Sequence, residues 1–436
     1  MIIRTLVVTV GLLVIATRVN GGQGAPSPPQ LTLREAEDLA LRNHPRVLGA
    51  QSEAAASGQV VREVRSAYFP TVAAAVTAAQ GNDNARLGAG SGLSASRLFD
   101  RFGQGLLVSQ LVTDFGRTPN LVESSRLDAQ ASAQNYQATR QEVLLAVANA
   151  FYGVLRAQAT VRVARQTIEA RQLLFDQINT LARNNLRSQL DVSFAEVNLA
   201  DARLLLIRAQ NDLQEAYARL ARALGSDSLI EYQLVEEALP PSPPANADLL
   251  VTQALTNRPD VTRLQFQRDA AHRFAYAERD LARPTVSVVG AAGLLPYASL
   301  PGAPVADKYE GVAVNVEIPV LNGGLFGARH AAAEYRALTA DHALRDYQEQ
   351  VVRDVRVAWA NAMTAFQRLD VTAQFLRSAT LALNLAQGRY NLGLSTIVEL
   401  TQAQLNVTRA EIEDLSVKYD YQDQSAALQY ALGQLR

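Results

Sequence analysis

Two carboxylates stand at matching places in this chain. Asp191 comes just after Asn184-Asn185-Leu186-Arg187-Ser188, and Glu399 just after Asn391-Leu392-Gly393-Leu394-Ser395-Thr396, each at the start of a helical stretch. In a symmetric oligomer each would recur around the axis as an acidic ring that favours cations. In an isolated chain each is a solvated acid in the first turn of a helix, where the helix dipole favours negative charge anyway. On the residues alone the second reading is the better one.

Other reactive groups are sparse. His44, His272, His330 and His342 form no two-histidine zinc motif and read as helix caps or surface groups. No P-loop occurs, and Gly88-Ala89-Gly90-Ser91-Gly92 lies in a polar loop rather than between a strand and a helix. Cysteine is absent, which excludes disulfides, thiolate metal sites, thiol catalysis and acyl attachment to cysteine. With only two Met and four His, no soft-metal relay is expected. The chain is therefore read as a non-enzyme with neither metal nor cofactor; an exported hydrolase would lack its nucleophile and base. Charge is nearly balanced, 41 basic against 42 acidic residues, so nucleic acid is not an expected partner.

The elements that position the two acids come from a duplication. Ala40-Leu41-Arg42-Asn43-His44-Pro45-Arg46-Val47 returns as Ala254-Leu255-Thr256-Asn257-Arg258-Pro259-Asp260-Val261, and Pro70-Thr71-Val72 as Pro284-Thr285-Val286. Further on, Val112-Thr113-Asp114-Phe115-Gly116 matches Val320-Leu321-Asn322-Gly323-Gly324, Asn198 matches Asn406, and Ala223-Leu224-Gly225 matches Ala431-Leu432-Gly433. Arg4, the apolar run Leu6 to Ala16 and the small residues Gly21 to Ala25 read as a Sec signal peptide, residues 1–25, cleaved between 21 and 25. Residues 26–235 and 249–436 are then the two copies. The segment 236–248, with Pro240, Pro241, Pro243 and Pro244, is an extended linker between them.

Each copy reads helix, strand, loop, strand, long helix, turn, helix. The first helix is expected from Leu31 to Ser66, capped by Thr32 with Glu35 and stopped by Tyr68-Phe69-Pro70. Hairpins are expected within 68–114 and 283–321. From Gly311 to Val320, Val312, Val314, Val316, Ile318 and Val320 alternate with Gly311, Ala313, Asn315, Glu317 and Pro319. Phe102 to Val112 places Phe102, Leu106, Val108 and Val112 opposite Gly103, Gly105, Leu107 and Ser109. Weaker strands are expected at Thr71 to Ala79 and Thr285 to Leu294, with exposed loops at Gln80 to Ser96 and Pro296 to Asp307. Such strands suit a membrane barrel, apolar toward lipid and small or polar toward water. On the strands alone a half-buried soluble sheet is the better reading, and the aromatics at their ends (Tyr68, Phe69, Phe99, Tyr297, Tyr309) fit either.

From Pro119 to Ala182 no proline interrupts a helix of about 100 Å. The next helix carries Val192, Leu199, Leu206, Leu213 and Leu220 every seventh residue, with Ala195, Ala202, Ala209, Ala216 and Ala223 three positions after each: a close-packed antiparallel coiled coil. The second copy keeps Leu400, Val407, Leu428, Ala403, Ala410 and Ala431 but puts Asp414, Tyr421 and Gln424 in the seam, so the copies pack differently. At the turns Gly393 and Asn185 suit a positive φ, Ser188 and Ser395 or Thr396 suit helix caps, and Leu186 and Leu394 would face a partner.

Four strands cannot close a membrane barrel, since the smallest bacterial ones use about eight, and open edges are not tolerated in lipid. An oligomer completing its barrel from several copies follows, its copy number open. With Tyr390-Asn391-Leu392-Gly393-Leu394-Ser395-Thr396-Ile397-Val398-Glu399-Leu400 and Ala431-Leu432-Gly433, the chain resembles the TolC-like outer-membrane efflux family from Leu31 to Leu435. The resemblance implies a mainly α protein with a small β part. It implies a homotrimer whose coiled coils form a periplasmic tunnel, continued by a twelve-stranded transmembrane β-barrel in outer-membrane lipid. The implied function is a passive exit channel of a tripartite efflux or type I secretion system, working with a periplasmic adaptor and an inner-membrane pump or ABC transporter. A soluble periplasmic coiled-coil scaffold is the alternative. By the same resemblance Asp191, Glu399, Tyr390 and Gln402 line a periplasmic aperture, and Asn185, Leu186, Arg187, Ser188, Gly393, Leu394, Ser395 and Thr396 form adaptor-docking tips. Asn315 and Glu317 face the barrel lumen. The chain departs from the family pattern at Ser395, where an arginine would reach across, and at Gln402, where a second acid would stand. A weaker or differently wired gate is expected.

Overall fold

The computed structural model describes residues 29–80, 86–88, 95–97, 101–227, 230–298 and 307–435. The expected signal peptide, Ala89 to Gly92, Phe99 and most of the second loop lie outside these residues. In chain order the elements are β1 (Gln30–Leu31), α1 (Leu33–Asn43), α2 (Pro45–Arg65), β2 (Thr71–Ala79), β3 (Arg86–Gly88), β4 (Ala95–Arg97), β5 (Arg101–Thr113), α3 (Arg117–Arg183) and α4 (Gln189–Leu224). They continue with β6 (Gln233–Leu234), α5 (Ala247–Asn257), α6 (Pro259–Arg279), β7 (Thr285–Ala298), β8 (Lys308–Glu317), α7 (Leu325–Asn391) and α8 (Ile397–Ala431). Counterpart helices have matched lengths: α1 and α5 have 11 residues, α2 and α6 have 21, α3 and α7 have 67.

The single first helix expected from Leu31 to Ser66 is two. His44 precedes Pro45, whose ring excludes its predecessor from the α region, and His44 takes φ −69°, ψ 123°. Arg258 before Pro259 does the same at φ −70°, ψ 123°. Leu31 lies in β1 and the helix begins at Leu33, but its cap is as expected: the Glu35 N–H donates to Thr32 Oγ1 (3.3 Å) and the Thr32 N–H donates to Glu35 Oε2 (2.9 Å).

The repeat motifs pack on one another. Gly225 (φ 71°) ends α4 against the α1–α2 corner, so a Cβ there would lie 2.7 Å from His44 Cα. Gly433 (φ 70°) ends α8 against the α5–α6 corner, 3.0 Å from Arg258 Cα. The matched Ala-Leu-Gly and Asn-X-Pro sequences are thus the two sides of one contact, made once per copy.

Both hairpins join one antiparallel four-stranded sheet in the order β2-β5-β7-β8. Its register carries the expected partition across all four strands. Val72, Val108, Gly290 and Val312 form one transverse row, and Val286 with Val316 and Val288 with Val314 continue that apolar face. The other face carries Thr71, Ser109, Ser287 with Asn315, and Thr285 with Glu317. β8 stops at Glu317 rather than Val320, because Pro319 has no N–H for a ladder. β7 runs on to Ala298, past the expected Leu294. The first expected loop contains a short hairpin, β3 paired with β4.

The long helices form the body. α3 packs against α2, α6, α4 and α8, and α7 against α6, α5 and α8. By length and composition α3 could cross a membrane, but half of its most apolar stretch is buried in this packing. The heptad residues Val192, Leu199 and Leu220 are buried, as are Ala195, Ala202, Ala209 and Ala223. In α8 the odd seam residues have specific tasks. Tyr421 is buried and its hydroxyl donates to the Pro241 carbonyl, while Asp414 pairs with Lys418 (3.1 Å). Linker residues are also held by Trp359 Nε1, donating to the Pro244 carbonyl (2.8 Å), and by Gln422 Nε2, donating to the Glu237 carbonyl (3.0 Å).

Candidate functional site: the two helical tips

Each tip is built by the same backbone device. After α3, the Leu186 N–H donates to the Leu181 carbonyl (2.9 Å) and the Asn185 N–H to the Ala182 carbonyl (3.0 Å), with Asn185 at φ 56°. After α7, the Leu394 N–H donates to the Arg389 carbonyl (2.8 Å) and the Gly393 N–H to the Tyr390 carbonyl (3.0 Å), with Gly393 at φ 74°. The positive φ foreseen at both residues is what lets each helix close its last carbonyls. Ser188 and Thr396 then cap the helices that follow, accepting from the Asp191 N–H (3.1 Å) and the Glu399 N–H (3.4 Å). Leu186 and Leu394 project at 68% and 66% exposure.

The two carboxylates are engaged locally within one chain. Asp191 Oδ2 accepts from the Ser188 N–H (3.3 Å), closing a capping box. Glu399 is exposed and pairs with Arg389 (3.4 Å), whose Nη2 also donates to the Leu394 carbonyl (3.3 Å). Gln402 is exposed and donates to Asn406 Oδ1 (3.2 Å).

Tyr390 is the point where the tips meet. It is 3% exposed, in a cluster that joins Leu174, Ile178 and Val192 of the first copy to Ala386, Ile397 and Leu400 of the second. The Arg187 guanidinium sits 4.2 Å above its ring, and Arg187 Nη2 donates to its carbonyl (2.8 Å). That carbonyl lies in the last turn of α7, where the helix dipole favours a cation. Burial pushes the Tyr390 hydroxyl's pKa up; Arg187 opposes the rise and Asp191 adds to it. The hydroxyl and Ser395 Oγ are both buried without a hydrogen-bond partner among the described residues. Higher up, Asn198 Nδ2 donates to Thr401 Oγ1 (3.0 Å), and buried Arg171 donates to the Asn198 carbonyl (2.9 Å).

Arg187, expected at the docking tip, also reaches Tyr390, 203 positions away, a contact with no local signal in the sequence. Arg389 beside Glu399 and the Asn198 to Thr401 bond likewise lie beyond the expected site, although Asn198 is one of the matched repeat positions. Asn315 and Glu317 lie on the polar sheet face, opposite Ser287 and Thr285, at the end nearer the helices, and both are exposed. Among the histidines, His44 caps α2 by accepting from the Arg46 N–H (3.2 Å), and His272 faces Asp341 (3.1 Å).

The profile of the outer membrane efflux protein family matches residues 37–226 and 250–434. Outer membrane protein TolC of Vibrio cholerae is 24% identical over 418 residues, 92% of this chain and 91% of that one. Among solved structures, a membrane protein from Pseudomonas aeruginosa superposes with a TM-score of 0.79 at 22% identity, over 92% of this chain and 93% of that one. The open state of the Neisseria gonorrhoeae MtrE outer membrane channel gives 0.75 at 21%, over 93% and 89%.

Proposed function

The chain belongs to the outer membrane efflux protein family, a family of outer-membrane channel proteins, and from that premise we propose that it is the passive exit duct of an export machine spanning both membranes. Three copies close a twelve-stranded barrel in outer-membrane lipid, and their helices continue it as a tunnel through the periplasm. The observation that carries this reading is the sheet. Its Val312, Val314 and Val316 face is exposed in the single chain, its edges β2 and β8 have no further strand partner among the described residues, and those edges run antiparallel, so β8 of one copy can pair with β2 of the next. Asn315 and Glu317 then face the lumen. Residues 26–235 and 249–436 act as two units joined by the linker 236–248.

The tips supply the gate and the docking end. Leu186 and Leu394 meet a periplasmic adaptor, which couples the duct to an inner-membrane pump or ABC transporter. Arg187 on Tyr390 holds the hairpins of one copy together at the aperture, with Asp191, Glu399 and Gln402 repeating around the axis. In this wiring Arg187 stands in for an arginine at position 395. The cargo, small molecule or polypeptide, is chosen by the inner-membrane partner.

Planar-bilayer recording of detergent-extracted protein, with oligomer mass measured on the same sample, tests the reading. Steady cation-preferring current from a trimer supports it. A soluble, non-conducting species would instead favour a periplasmic scaffold, a reading that the exposed valine face of β8 opposes.

A further inference from the structure

One transverse row on the polar face of the sheet runs Ala75, Gly105, Gly293, Tyr309, each opposite the next. Three residues with no side chain beyond a methyl group thus lie beside one large ring. That ring does not stand upright. A Cβ at Gly293 would fall 2.5 Å from it, and a Cβ at Gly105, one strand further, would fall 2.1 Å from the Tyr309 hydroxyl. With strands about 4.8 Å apart, a side chain from β8 that covers Gly105 has crossed β7 and lies along the sheet. Neither glycine has a positive φ, so backbone conformation does not call for glycine at either place. Glycine inside a strand weakens it, and often marks a close approach by another group. Here the approaching group is the tyrosine. At Gly293 a Cβ would also meet the Gln104 carbonyl at 2.4 Å, whereas at Gly105 the hydroxyl is the nearest atom and the Ala292 carbonyl stands at 2.9 Å.

The row sits far from the helices, next to the first residue of β8, Lys308, and so beside the loops. We propose that Gly105 and Gly293 form a slot that stows the Tyr309 ring flat against the barrel wall, and that these three residues set the width of the outer mouth. Repeated in each copy, stowed rings leave the outlet open to bulky cargo, whereas projecting rings would narrow it. The proposal rests on the duct reading, in which the polar face lines the lumen.

The test is polymer exclusion: polyethylene glycols of graded size are added on the loop side of channels in a planar bilayer, which probes the outer mouth whatever the state of the tips. Gly105→Ala is expected to lift the ring and reduce the largest admitted radius by roughly 3 Å, about one aromatic thickness. Gly105→Ala combined with Tyr309→Ala removes that reduction, and Tyr309→Ala alone widens the limit by no more than the thickness of a flat ring, about 3.5 Å. A Gly105→Ala channel with the original limit overturns the slot. So does a Tyr309→Ala channel whose limit widens by more than that thickness, since its ring must already have projected; this second variant keeps the test intact if Gly105→Ala fails to assemble. A wild-type trimer that inserts but carries no current overturns the duct itself, and the slot with it.

Discussion

Tyr390 contributes a ring and a hydroxyl to the tip, and the two have different consequences. The ring fills the cluster between the hairpins beneath Arg187, while the hydroxyl is buried without a partner among the described residues of its own chain. Leaving a buried hydroxyl unsatisfied costs about 1–3 kcal/mol, so inside one copy Tyr390→Phe should be neutral or mildly stabilising. Arg187→Ala removes both the cation above the ring and the bond to the α7 carbonyl. If Arg187 is the latch, single-channel recording will show larger or longer openings for Arg187→Ala and unchanged behaviour for Tyr390→Phe. Openings released by Tyr390→Phe would instead mean that the hydroxyl bonds to a neighbouring copy. A second residue reports on pH. Glu37 is pushed up from 4.5 to about 7, first by burial, then by the Glu237 and Asp38 carboxylates, against an opposing Arg34. Between those values the folded chain holds a proton that the unfolded chain has lost, so stability falls as pH rises through the window. Glu37→Gln removes that dependence. Its Tm should match wild type near about pH 4 and exceed it near about pH 8; equal Tm values at both would show that Glu37 titrates normally.

Three glycines with positive φ end helices in three different surroundings, which makes their Ala variants a graded series. Gly393 has open space where a Cβ would go, so Gly393→Ala should cost only the left-handed penalty, about 1 kcal/mol. Gly433 and Gly225 add backbone contacts at 3.0 Å and 2.7 Å, so Gly225→Ala should destabilise most, by about 2–4 kcal/mol, and lower Tm furthest. Thermal melts that ranked the three otherwise would dissociate the helix ends from the corners they touch. These elements were largely legible beforehand, because heptads, caps and left-handed turns are written in residues a few positions apart. Asn185 and Gly393 announced their φ by type alone. The break at His44 was legible too, in Pro45, but the long apolar pattern on either side masked it. Arg187 on Tyr390 was not legible, because nothing local to either residue records a contact between two copies of the repeat. The same holds for Tyr421, which looks like a flaw in the seam until the linker carbonyl of Pro241 is seen above it.

At the scale of the molecule, duplication brings two hairpins side by side and leaves the sheet they form unfinished. Pairing β5 with β7 satisfies the inner edges of both hairpins and leaves β2 and β8 as the outer ones. In lipid those edges need partners, and antiparallel alternation continues only if β8 meets β2 of another copy. The absence of cysteine makes this geometry accessible to cross-linking without a background. A cysteine fixed at Val314 and a second moved along the same face of β2, through Val72, Ala74, Val76 and Ala78, should form a disulfide only where the Cα atoms of neighbouring copies come within about 7 Å. One or two adjacent β2 positions should then give a ladder of linked dimers and closed trimers on a denaturing gel. Linkage equally efficient at all four positions would mean that the edges slide without a fixed register, and a ladder extending beyond three would mean that the copies close a wider ring.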